Sequence, residues 1–267
     1  MTDRQPGAGP LVRAAALNNA EWCAAMCRSH RQAPDGGGTF AAGLWSGDGR
    51  PPPLYPDVVT LAPRVTAAGV AARLGTGPGP ASASVKDSFA VLDLTGDGFV
   101  RLFDAQWIVR MPGTSPTAAR PPGVRWDVVG TAEGLAGWAD AWDGGEGLAG
   151  LFRPELLREP DVAVLAGRSL SDGRVVAGAV ANRSGGDSDS GAEVVGLSNV
   201  FSAVGDPYTA WAGALAAAER VWPLPLPVVG YEHPGDDLDA ALAVGFHPIG
   251  PLTVWLRRTP GSAGGTP

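Results

Sequence analysis

The chain has 267 residues, enough for one large domain or two of ordinary size, and its 45% hydrophobic content is ample for a packed core. Acidic residues outnumber basic ones by 27 to 20, a formal charge of -7, so a broad phosphate-binding face would form against the overall field and nucleic acid is set aside as a partner. The opening MTDRQPGAGP lacks the apolar stretch of a secretory signal, and no apolar run approaches the roughly 18 to 20 residues of a membrane helix, so the expectation is a cytoplasmic chain that does not bind membrane.

The first patterned stretch is EWCAAMCRSH, residues 21 to 30, with Asn18 as a helix cap and Glu21 three residues later, which predicts a helix over 19–31. Cys23, Cys27 and His30 share one face of it, but the rise from Cys23 to His30 is about 10 Å, too far for one metal ion to take all three. A Cys23–Cys27 disulfide is also set aside, because residues four apart on a helix hold their Cβ atoms about 5 to 6 Å apart. Beside Trp22 and Met26 the thiols read as an apolar packing stripe, and no metal site is expected.

Glycine and proline clusters then punctuate the chain at 33–38, 49–53, 75–83, 111–123 and 184–191, and a disordered tail is expected over 259–267. Between them DVVTLAP (57–63), DSFAVLDL (87–94) and GFVRLFDAQWIVR (98–110) read as strands, the last two joined by TGDG as a hairpin, with a helical piece over 65–74. After the proline-rich break come a strand at RWDVVG, a helix capped by Thr131, a helical turn at PELLRE, and three strands at 161–168, 173–183 and 193–202. A helix over 207–221 capped by Asp206, a strand at 226–232, a helix over 236–244 closed by Gly245, and a last strand from Phe246 complete the order. Only some strands are linked by helical crossovers, so a mixed α/β fold is expected.

That order over 125–258, with Gly245 and Phe246 leading into the last strand, resembles the GNAT superfamily of acyl-CoA N-acyltransferases. The resemblance implies a GNAT-like mixed β-sheet flanked by helices and transfer of an acyl group, typically acetyl, from acetyl-CoA or another acyl-CoA to a small amine. It places coenzyme contacts at Val200, Phe201, Ser202 and Gly205, and the catalytic groups at the strand ends: Glu232 as base, with Asn199 and Tyr231 beside it. The family's pyrophosphate pattern falls on Ser202, Gly205 and Pro207, of which Gly205 matches. Asp206 sets a carboxylate there, Pro207 lacks an N–H, and the family's tyrosine acid position holds Ala241.

The implied domain plan is an N-terminal helix plus a degenerate GNAT-like half over 1–123, a truncated tandem copy, followed by the acyltransferase domain over 124–258. Lys86, the only lysine beside nineteen arginines, together with Asp87 and Ser198 is a candidate for substrate contact, by ion pairing or by anion binding. A rival reading is a non-catalytic GNAT-like binding or regulatory module, and a third is an acyltransferase that draws its acyl group from an acyl carrier protein or an aminoacyl-tRNA, the net charge arguing against the RNA version.

Overall fold

The structure, a computed structural model, describes residues 8–30, 36–74, 83–114, 123–185, 192–223 and 225–257. In chain order the elements are α1 (Ala8–Ser29), β1 (Thr39–Ala41), β2 (Leu44–Ser46), β3 (Val58–Thr60), α2 (Ala67–Leu74), β4 (Ser84–Asp87), β5 (Phe99–Arg110), β6 (Val124–Val128) and α3 (Ala132–Asp143). They continue with β7 (Val162–Ser169), β8 (Val175–Ser184), β9 (Val194–Ser202), α4 (Pro207–Val221), β10 (Val228–Glu232), α5 (Asp236–Ala243) and β11 (His247–Arg257).

The strands form one mixed sheet in the order β1-β2-β3-β4-β11-β5-β10-β9-β8-β7-β6. Its centre is the long antiparallel pair β5 and β11, and the two flanks follow the same plan outward. On one side β4 runs antiparallel to β11 and parallel to β3, with α2 as the crossover; on the other β10 runs antiparallel to β5 and parallel to β9, with α4 as the crossover. β4 therefore pairs with a strand from the far end of the chain, and β5 sits between β10 and β11.

Alternation along the strands separates two faces. On β5, Ala105, Trp107 and Val109 pack under α1, whereas Ile108 joins α4 and α5. On β3 and β11, Val58 and Trp255 pack with α2, and Val59 and Val254 face α1. Thus α1 and α3 cover one face, and α2, α4 and α5 the other. Glycine permits the closest approaches: a Cβ on Gly213 of α4 would overlap the Trp126 indole, and one on Gly196 of β9 would overlap Asn18 Oδ1.

Three sequence expectations are corrected. The first helix begins at Ala8, because the alanine-rich turn before Asn18 stays helical. Asn18 is no cap: its amide donates to Asn182 O (3.0 Å) and Ser184 Oγ (2.9 Å) on β8. The strand expected at 87–94 lies earlier, at Ser84–Asp87, where β11 pairs with it. TGDG is a 3-10 turn that closes no hairpin, since β11 separates β4 from β5. The β1–β2 hairpin, with Ala42 (φ 54°) and Gly43 (φ 76°) in its two-residue turn, adds a pair of strands with no counterpart in the sequence reading. The expected tail over 259–267 lies outside the described residues, among which no helix is long and apolar enough to cross a membrane.

Candidate active site

The site originates in a defect of the sheet. β9 and β10 pair only at Val228–Val195 and Val229–Gly196, then diverge, while β10 stays paired with β5 as far as Glu232–Gln106. The divergence coincides with a bulge. The β8–β9 register jumps from Val180–Ser198 to Gly178–Phe201, so Asn199 and Val200 stand opposite Ala179 alone, and Asn199 takes φ 51°. A bulge bends its strand and increases local twist, and asparagine tolerates the left-handed region better than most residues. Beyond Gly196 the edge of β9 that faces β10 has no ladder partner.

Under α1 this gap opens into a cavity of about 980 Å³. It draws side chains from both ends of the chain: Lys86 from β4, Asn19, Trp22 and Cys23 from α1, Tyr55 from the proline-rich loop, Ser198 and Asn199 from β9, and Tyr231 and Glu232 from β10. Offsets of three and four residues set Asn19, Trp22 and Cys23 on one helix face. Tyr55 closes the side. Its ring meets Trp22 edge-on at 6.0 Å, and burial holds the pKa of its phenol well up.

Tyr231 and Glu232 alternate. Tyr231 lies on the α1 face, its ring 5.5 Å from Trp107, and Glu232, the last residue of β10, alternates to the other face and lines the cavity where the strands part. Burial, then the nearby charge of Asp237, pushes the Glu232 carboxyl up to about 8, so it is mostly protonated at neutral pH and ionises just above it. Lys86 is only 5% exposed; its Nζ donates to Asn19 Oδ1 at 2.9 Å and sits 4.0 Å over the Tyr231 ring centroid. Asn199 Nδ2 donates to Ser198 Oγ at 3.1 Å.

Of the residues singled out in the sequence, Glu232, Asn199, Tyr231, Ser198 and Lys86 meet in this cavity. Asp87 does not: alternation sends it to the opposite face, where its carboxylate accepts from Phe89 N (3.2 Å) and Leu92 N (2.7 Å) and shapes the turn after β4. Val200 lies within the bulge and Phe201, Ser202 and Gly205 past it, all four outside the cavity lining; Phe201 packs edge-on against Trp138 at 5.3 Å. Tyr55 and Asn19 are not singled out in the sequence as site residues, and Trp22 is expected there only to pack. The only signal was a tyrosine between proline runs, which points to a loop and not to a site. Cys23 and Cys27 are buried, and burial raises the Cys23 thiol to about 12, which keeps it neutral and poorly nucleophilic. Among the described residues no group of three or more His, Cys, Asp or Glu side chains could hold a metal ion.

The loop before α4 is occupied by its own contacts. Asp206 caps the helix by accepting from Thr209 N at 2.8 Å, and Ala203 N and Val204 N both donate to Val176 O. Gly205 has φ 105°, and the segment 202–209 contains no cation. With an acidic cap, a proline and no cation, this loop is a poor pyrophosphate cradle.

No family model and no curated protein matches the sequence. Solved structures do share the fold. A GCN5-related N-acetyltransferase from Kribbella flavida has a TM-score of 0.58 at 21% identity, covering 97% of this chain and 98% of that one. A tandem GNAT protein from the clavulanic acid biosynthesis pathway, determined without AcCoA, has a TM-score of 0.51 at 12% identity over 93% and 98%. The fold is therefore that of the GNAT acetyltransferases.

Proposed function

We propose that the chain is an N-acyltransferase that moves an acyl group, acetyl in the simplest case, from a thioester to a small amine in the cleft between β9 and β10. The observation that carries this reading is the bulge at Asn199: it parts the two strands beside a carboxyl whose pKa lies near neutrality. The thioester arm would enter the gap and the amine would occupy the cavity under α1. Backbone N–H groups on the unpaired edge of β9 would stabilise the oxyanion as the amine adds to the carbonyl. Glu232, once ionised, would take the amine proton directly or through water, and collapse of the intermediate would break the C–S bond and release the thiolate, which takes up a proton from Glu232 or water. Tyr231, 5.5 Å edge-on to Trp107, would position the acceptor.

The matching flanks of the sheet support reading the chain as two GNAT-like halves, 1–123 and 124–258, the first degenerate, with β5 and β11 each paired into the other half's sheet. The donor reading is acyl-CoA first. The self-capped loop at Asp206 favours a second one, in which an acyl carrier protein presents the thioester without a bound pyrophosphate, or the module binds without turnover. Turnover of amine panels with acetyl-CoA and with acetylated carrier protein, followed by thiol release, tests both. Glu232→Gln should then lower kcat by about 10² to 10⁴ with donor affinity nearly unchanged. Equal loss of turnover and donor affinity would remove Glu232 from the base role.

A further inference from the structure

Lys86 is a buried cation in a chain that otherwise uses arginine, and among the described residues no carboxylate stands within ion-pair distance of it. Its ammonium carries three donors. One reaches Asn19 Oδ1, and the Tyr231 face offsets part of the charge. Both contacts are neutral, and an ammonium buried without a counter-ion costs several kcal/mol. Asp57, a carboxylate on the same cavity wall, is engaged elsewhere, accepting from Ser84 N at 2.7 Å. The lysine comes from the first half of the chain, yet it reaches the same cavity as the Ser198 and Glu232 ends of the splayed strands.

We propose that Lys86, held by Asn19 and Tyr231, is the specificity determinant that receives the carboxylate of the acceptor, so that the substrate is an amino acid and not a simple amine. This rests on the acyl-transfer reading of the cavity. The anion completes the ion pair the fold leaves open, and its amine is directed toward the gap beside Glu232. Arg50 also lines the cavity but is exposed, so Lys86 is the buried cation of its lining among the described residues. One buried ammonium beside an aromatic ring suits a monoanionic carboxylate, whereas a phosphate would call for a cluster of donors.

The test is binding without donor, so it does not depend on turnover. N-acetyl amino acids, the expected products, are titrated calorimetrically against their C-terminal amides, with ethanolamine phosphate in parallel. The wild type should prefer acid over amide by about ten- to a hundredfold, the range of one charged hydrogen bond. Lys86→Met should abolish that preference. Asn19→Asp, nearly isosteric, should abolish it too by supplying an internal counter-ion, which covers the case in which Lys86→Met fails to fold. Glu232→Gln should retain it. Equal binding of acid and amide, survival of the preference in Asn19→Asp, stronger binding of ethanolamine phosphate, or no binding of any acid overturns the assignment. Should every donor prove inert while the acid preference follows Lys86, the carboxylate site stands and the acyl-transfer reading falls. Equal kcat/KM for amino acids and their decarboxylated amines gives the reverse.

Discussion

Glu232→Gln has a consequence for stability that can be measured before any substrate is known. With a folded pKa of about 8 against 4.5 for the free side chain, folded Glu232 holds a proton that the unfolded chain releases. The folded state binds more protons between these values, so stability falls as pH rises through that window and levels off above the folded pKa. Glu21 behaves similarly, raised to about 7 by burial and by Asp161, so the interval from pH 7 to 8.5 isolates Glu232. One full proton would give about 1.4 kcal/mol per pH unit. Partial ionisation and the partial exposure of Glu232 reduce this to roughly 0.5 kcal/mol per unit. Urea denaturation at half-unit steps from pH 6.5 to 9 should show that decline in the wild type and a flatter curve in Glu232→Gln. Parallel curves would refute the buried carboxyl. In a turnover assay the same group should raise kcat/KM about tenfold between pH 7 and 9, as its ionised fraction climbs from about a tenth to about nine-tenths.

Gly196→Ala should cost about 2 to 4 kcal/mol, because its Cβ would overlap Asn18 Oδ1 and stand 2.7 Å from Asn182 Oδ1, breaking the buried amide contacts that fix α1 on β8. The melting midpoint should fall by roughly 5 to 10 °C, and a change under 2 °C would show that α1 is anchored elsewhere. Asp206→Ser keeps an oxygen for Thr209 N but removes the charge, so free CoA should bind several-fold tighter by calorimetry. Unchanged affinity would mean that the loop does not meet the pyrophosphate. Cys23 and Cys27 should resist iodoacetamide at pH 8 in the native protein and react once it is unfolded, as read by mass spectrometry; rapid native labelling would contradict their burial.

Local chemistry made the second half of the chain readable. Asp206 and Pro207 start α4, Thr131 starts α3 by accepting from Gly134 N, and Gly245 with φ 98° ends α5, each through bonds made within a few residues. Glu232, Asn199 and Tyr231 followed from the GNAT-like order, because strand ends can be placed once the strands are. Where contacts are distant the same logic failed. Asn18 looks like a cap until Asn182 and Ser184, 164 and 166 residues away, are brought to its amide.

The sequence by itself determined which segments become helix or strand across most of the chain, since capping, turn residues and hydrophobic period act over a few residues. Only the tertiary structure decided which strands are neighbours. The insertion of β11 between β4 and β5 turns an apparent hairpin into the centre of an eleven-stranded sheet. It also brings Lys86 beside Tyr231, 145 positions along the chain and 4.0 Å from Nζ to ring centroid. No local pattern encodes such a meeting, because pairing partners are selected by burial across the whole sheet.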